Sequence, residues 1–265
     1  MIGIDGAPVL NYVGNFFGKA ANNTAPTWDF STVNQTITGK YFVEDNKAYR
    51  GGIRLGFGSE KTINTVADRA TTAAPVFPSA PNANVENIMK AGNTNIGLSA
   101  GIEWRKGTTR LQGFYGAELG IGINSSKRTY EYGNALNQNV TGNVDVDIAD
   151  DFGTGNIDND PYGNIGRVLS DKSGLGFSVG VRGFIGAEYF VLPKLSVGGE
   201  FGWGLAFVAN GTSKVELESE GLVGGAEQAA TFTTESKNGS RIAVDTDNIN
   251  KLFGPAGRLN ITFHF

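Results

Sequence analysis

A strict two-residue alternation, carried through segments too long for ordinary strands, is the feature that most constrains this chain. In residues 174–191, Phe177, Val179, Val181, Ile185, Ala187, Tyr189 and Val191 share one face. Ser178, Gly180, Arg182, Gly186 and Glu188 share the other. Residues 196–206, 110–124, 50–60 and 95–105 obey the same rule: one face is apolar or aromatic, the other small or charged. A soluble sheet could bury the first face, but it would then have to wet a Gly/Arg/Glu face. A closed sheet in a membrane turns the first face to lipid and keeps the second for its lumen. Helical periodicity is almost absent. No stretch approaches the roughly 18 consecutive apolar residues of a membrane-spanning helix.

Connection lengths point the same way. Residues 44–47, 106–108 and 192–194 are tight turns rich in turn-forming residues. Long polar stretches, 62–93, 127–172 and 210–255, separate the hairpins. Short turns at one end and long loops at the other belong to transmembrane barrels; in a soluble domain such loops would count against the assignment. The expected fold is all-β: one domain, residues 1–265, a transmembrane antiparallel up-and-down β-barrel of about eight strands with short periplasmic turns and long extracellular loops. The strands are expected near 8–19, 31–43, 48–61, 94–105, 108–126, 174–191, 195–209 and 256–265, the first alternating poorly. Residues 214–217 and 231–234 would make ten strands if they joined the wall; a hairpin above the membrane is preferred. Residues 41–43 and 50–57 resemble 189–191 and 196–203, a weak repeat that sets aromatics beside the turns as an interfacial girdle.

Composition excludes other classes. The absence of cysteine rules out disulfides, thiolate metal sites and a thiol nucleophile. A net charge of −4 argues against a nucleic-acid partner. The mean hydropathy of −0.18 suits a barrel as well as a soluble protein, because lipid-facing and lumen-facing residues average out. Residues 1–5 lack a basic region followed by an apolar stretch, so the expectation is a mature chain whose signal peptide has been removed.

The chain ends with Leu259, Ile261, Phe263 and Phe265 on one face. This resembles the C-terminal assembly signal that the outer-membrane insertion machinery recognises. The pattern as a whole is similar to small bacterial outer-membrane barrels of the OmpA transmembrane-domain and OmpX kind. The hairpin of residues 39–48, with Leu55-Gly56-Phe57-Gly58, resembles Bacteroidota members. The resemblance implies a bacterial outer-membrane location, with outer-membrane lipids, lipopolysaccharide and the insertion machinery as partners, and other outer-membrane proteins as candidates. It implies no activity, and unlike full-length OmpA no periplasmic peptidoglycan-binding domain is expected after the last strand.

The inward face carries Lys40, Arg50, Arg54, Arg105, Arg110, Arg182 and Arg258 against Glu60, Glu103, Glu118, Glu188 and Glu200. An eight-stranded interior has room only for side chains. Desolvated charges are tolerated when paired, and a selective pore would carry one dominant sign. A salt-bridged plug is therefore expected rather than an ion path.

No catalytic, cofactor or metal site is expected. Barrel enzymes such as lipid A deacylases, lipid A palmitoyltransferases and omptin-type proteases use a histidine near the outer rim; the single histidine here, His264, falls at the periplasmic end. The acidic stretch with Asp145, Asp147, Asp150, Asp151, Asp158 and Asp160 lacks the EF-hand spacing and reads as a solvated loop. Asn22, Asn139, Asn210 and Asn238 open N-x-S/T triplets that read as polar loop composition. The leading expectation is a membrane-stabilising protein or a subunit of a larger outer-membrane complex. A narrow porin-like channel or transporter is the alternative, followed by a lipid-interface enzyme and a surface adhesin.

Overall fold

The computed structural model describes residues 1–19, 23–26, 37–68, 84–136, 151–223, 226–245, 252–253 and 256–265. In chain order these form β1 (Ile2–Asp5), α1 (Ala7–Phe17), β2 (Ile37–Glu44), β3 (Lys47–Ala67), β4 (Asn84–Lys106), β5 (Leu111–Glu131), β6 (Asp151–Thr154), β7 (Ile157–Asn159) and β8 (Ile165–Lys172). They continue as β9 (Gly176–Leu192), β10 (Leu195–Asn210), β11 (Ser213–Val223), β12 (Ala226–Ser236), β13 (Ser240–Asp245) and β14 (Gly257–Phe263).

Eight strands close a ring in the order β1, β2, β3, β4, β5, β9, β10, β14 and back to β1, every pair antiparallel. The closing pair sets Ile2 opposite Phe263 and Asp5 opposite Asn260. Tight turns join β2 to β3, β4 to β5 and β9 to β10; in the second, Gly107 takes φ +111°, where a side chain would be strained. The ring turns its apolar residues outward. Ile185 is 63% exposed and Trp203 55%, and on β5 the outward apolar positions run from Leu111 to Ile123. That length suffices to cross a hydrocarbon core, which takes about 9–11 residues of tilted strand. Near the turns, Trp104 stacks on Tyr115, and Tyr41, Tyr49 and Tyr189 are exposed. The expected aromatic girdle is half right: Phe42 lies under Arg105 and Phe190 against His264, both at inward positions.

Two expectations are corrected. Residues 8–19 do not form the first strand. β1 ends at Asp5, whose carboxylate accepts the amide of Ala7, and α1 follows with proline in its first turn. Pro8 has no N–H for a strand ladder but fits the start of a helix, where that donor would be unpaired anyway. The long loops are also not wholly irregular. β3, β4 and β5 continue beyond the expected strand ends, and β8 pairs with the end of β5, β11 with β8, and β12 with β11. The hairpin at 214–217 and 231–234 thus stands outside the ring, as preferred. The expected strand 31–43 begins outside the described residues and continues as β2.

The sheet beyond the ring has its own small core. Leu217 and Val168 are buried, the Tyr132 hydroxyl donates to the Val168 carbonyl at 2.8 Å, and Arg167 lies 4.3 Å above the Tyr132 ring.

Candidate functional site

Alternation in the ring strands points one side chain in two at the axis, so charges distant in sequence meet in the lumen. Glu118 and Arg182 are direct partners across β5 and β9, and Glu200 and Arg258 across β10 and β14. Arg182 Nη1 lies 2.9 Å from Glu118 and 2.6 Å from Glu200. From β3, Arg50 reaches the same two carboxylates, at 3.4 Å to Glu118 and 2.7 Å to Glu200. Two arginines and two glutamates therefore alternate in a closed cycle, each buried. Arg258 approaches Glu118 at 4.0 Å.

A second tier lies toward the turns. Glu103, with no exposed surface, takes Lys40 at 2.9 Å and Arg105 at 2.9 Å; Arg50, at 3.6 Å, links it to the first tier. Arg105 also pairs with Glu188 and donates to Gln112 at 3.1 Å. Stripping charges of water is costly unless partners replace it, and here each carboxylate has at least two cationic or hydroxyl neighbours. Arg54 sits higher and donates to the Leu252 carbonyl at 3.3 Å.

Aromatic rings complete the packing. Phe114 on β5 stands opposite Gly186 on β9, and Phe184 on β9 opposite Gly116 on β5. A Cβ on Gly116 would sit 2.5 Å from Phe184, and one on Gly186 would meet Phe114. Each ring thus covers the other strand's glycine. Their faces take cations: Arg50 is 4.1 Å from the Phe184 centroid, Lys40 4.7 Å from that of Phe114.

At the other end, Leu252 and Phe253 fold into the lumen against Ala206. A Cβ on Gly120 would lie 2.6 Å from the Phe253 ring. The cavity between this cap and the charges, lined by Arg54, Glu118, Arg258, Leu252 and Phe253, measures about 10 Å³. That is space for about one water.

The predicted network thus meets in the lumen, with two exceptions. Arg110 lies in the exposed turn before β5, where its carbonyl accepts the Phe190 amide. Glu60 is exposed, beyond the network toward the outer end of β3. The parity of the alternation failed at Arg110 because the turn intervenes before the strand starts. Sequence reasoning put Ser196 on the inward face without giving it a partner, and missed Phe114, Phe184, Leu252 and Phe253. Phe114 and Phe184 occupy inward parity positions; the last two fall in a stretch read as loop.

Ser196, His264 and Glu188 gather at the turn end. Ser196 donates to Glu188, and His264 Nε2 lies 2.7 Å from Ser196 Oγ and 3.4 Å from Glu188. A nucleophile relay needs the acid on the imidazole nitrogen opposite the serine. Here both face Nε2, and Ser196 has no exposed surface. The arrangement fastens β14 to β9 and β10.

In the outer sheet, Asp160 organises the turn between β7 and β8. Its carboxylate accepts the amides of Tyr162 and Asn164, the Asn164 side chain at 2.9 Å and the Ser219 hydroxyl at 2.7 Å. Burial pushes its pKa up, but these hydrogen bonds outweigh that and hold it at about 2. Asp158 accepts the Asn159 amide, whereas Asp145, Asp147 and Asp150 lie outside the described residues.

No protein-family model matches the chain, and no curated protein sequence matches it. Among solved structures, CarO from Acinetobacter baumannii is similar at 10% identity, covering 88% of this chain and 93% of that one, with a TM-score of 0.31. The fold assignment rests on the ring of strand pairs and not on that likeness.

Proposed function

We propose that this chain is an integral outer-membrane β-barrel whose lumen is a permanent plug, and that it works as a membrane-stabilising protein or as an accessory subunit of a larger outer-membrane complex. One observation carries the reading: the buried Arg50–Glu118–Arg182–Glu200 cycle under the Leu252–Phe253 cap. Charges in this state hold strands together across an interior filled by side chains. The outward apolar wall supports the membrane location, since outside a membrane Phe201, Trp203, Leu205 and their neighbours would face water in the folded barrel. Lipids and, during biogenesis, the insertion machinery are the proposed partners. No catalysis is assigned to the barrel.

A narrow channel is the second reading. It draws on a cavity of about 570 Å³ at the upper ends of β3, β4 and β5, lined by Glu60, Asn93 and Arg128 among others. Planar-bilayer conductance of the refolded protein separates the two. The plug predicts rare or absent current steps. Stable openings would remove the plug and put the channel first.

A further inference from the structure

Above the outward apolar wall, strand pairing sets lysine against lysine. The last row that is apolar on all four strands runs through Leu55, Ile96, Ile123 and Phe177, directly opposed in turn; on β3 and β4, Ile63 stands opposite Ile88 further out. Two residues further out lie Phe57, Thr94 and Ser125. In the next row Lys127 stands opposite Lys172, and Lys172 opposite Lys214. One row beyond, Lys61 stands opposite Lys90. Directly opposed residues share a face, and a period of two keeps Lys127 on the face of Ile123, and Lys61 on that of Leu55. All five ammonium groups therefore project outward, just past the apolar wall, and all five residues are exposed.

Like charges directly opposed destabilise a sheet. In a chain of net charge −4, three such pairs in two adjacent rows are not a by-product of a basic composition. Lys90 meets Glu131 at 2.5 Å, and Lys214 pairs with Glu235. Lys127 and Lys172 have no carboxylate partner among the described residues. The row also has room: Gly92 lies between Ser59 and Lys127, and a Cβ there would meet only the Gly58 carbonyl, at 3.7 Å.

We propose that this lysine row binds the phosphate groups of an outer-leaflet phosphoglycolipid of the lipid A kind, with its acyl chains on the apolar rows below. The site rests on the outer-membrane reading of the barrel and specifies where and by what chemistry it holds its lipid. Lysine stems can lie along apolar surface while their ammonium groups reach the phosphate layer, and the hydroxyls of Ser59 and Thr129 in the same two rows add donors. The position of the row favours a lipid-borne phosphate over a free one: a soluble anion gains nothing from the apolar rows beneath.

The test is native mass spectrometry of the refolded protein in detergent micelles, titrated with bisphosphorylated lipid A and with the same lipid stripped of phosphate. Lys127→Gln/Lys172→Gln is compared with wild type and with Lys106→Gln/Lys194→Gln at the turn end. The double variant should bind the phosphorylated lipid roughly tenfold more weakly, with no difference for the stripped lipid, and the turn-end variant should match wild type. Equal binding by wild type and the Lys127/Lys172 variant overturns the site. Displacement of the lipid by inorganic phosphate at low millimolar concentration overturns it too, leaving a loose anion patch. Failure of the barrel reading looks different: the protein would show no heat-modifiable migration, and brominated lipids would not quench Trp203 in vesicles.

Discussion

Glu118 and Glu200 each bridge Arg50 and Arg182, and Glu118 also has Arg258 at 4.0 Å, so the loss of either leaves at least two buried cations short of a partner. Glu118→Ala should cost about 3–5 kcal/mol, the usual penalty for breaking a buried pair from one side, read as a lower urea midpoint of the refolded protein in micelles. Arg110→Ala should leave that midpoint unchanged, because Arg110 lies in the exposed turn. Gly186→Val should cost about 1–3 kcal/mol, since its Cβ would meet both the Gly199 carbonyl oxygen and the Phe114 ring; an unchanged midpoint would mean that the β10 backbone and Phe114 both have room to move. The charges themselves were legible in the sequence, because parity along an uninterrupted strand decides which way each points. Phe114 and Phe184 were not. Their parity set them among charges, and only the cation-accepting ring face explains why an aromatic is at home there.

The ring strands could be read from alternation because each has two unlike environments, lipid and lumen, repeated at a fixed period. α1 could not. An apolar run after a four-residue strand satisfies helix and strand equally until Pro8 is weighed against the ladder. In the outer sheet the β11–β12 hairpin was foreseen at 214–217 and 231–234, but β8 was hidden for a different reason: it lies in a polar stretch, and the small core around Leu217 and Val168 is assembled from distant segments. Asp160 gives this sheet a pH dependence. Its pKa is depressed from 3.8 to about 2, so its contribution is fully present above about pH 4 and is lost as pH falls through about 2. Hydrogen exchange at the Tyr162 and Asn164 amides should therefore quicken between about pH 4 and pH 2, beyond the ordinary pH trend shown by exposed amides. Asp160→Asn should show fast exchange already at neutral pH. Equal protection in variant and wild type would mean that the turn holds without the carboxylate.

For the molecule as a whole, the two tiers of charge and the apolar cap make one prediction that no single strand makes. Conductance should stay near zero in wild type, and deletion of the cap by Leu252→Ala/Phe253→Ala alone should not raise it, because the Arg–Glu tiers still fill the bore. Steps appearing in that variant would make the cap the main barrier. The closing seam carries a different consequence. β1 meets β14 over four residue pairs, with Ile2 opposite Phe263, so almost the entire chain separates the partners that complete the ring. Contacts of such long sequence separation pay their loop-closure entropy last. Until residues 257–263 arrive, both edges of the nascent sheet stay open to any other strand. Closing the ring is thus the slow step, and until it happens the two open edges are the most vulnerable part of the sheet.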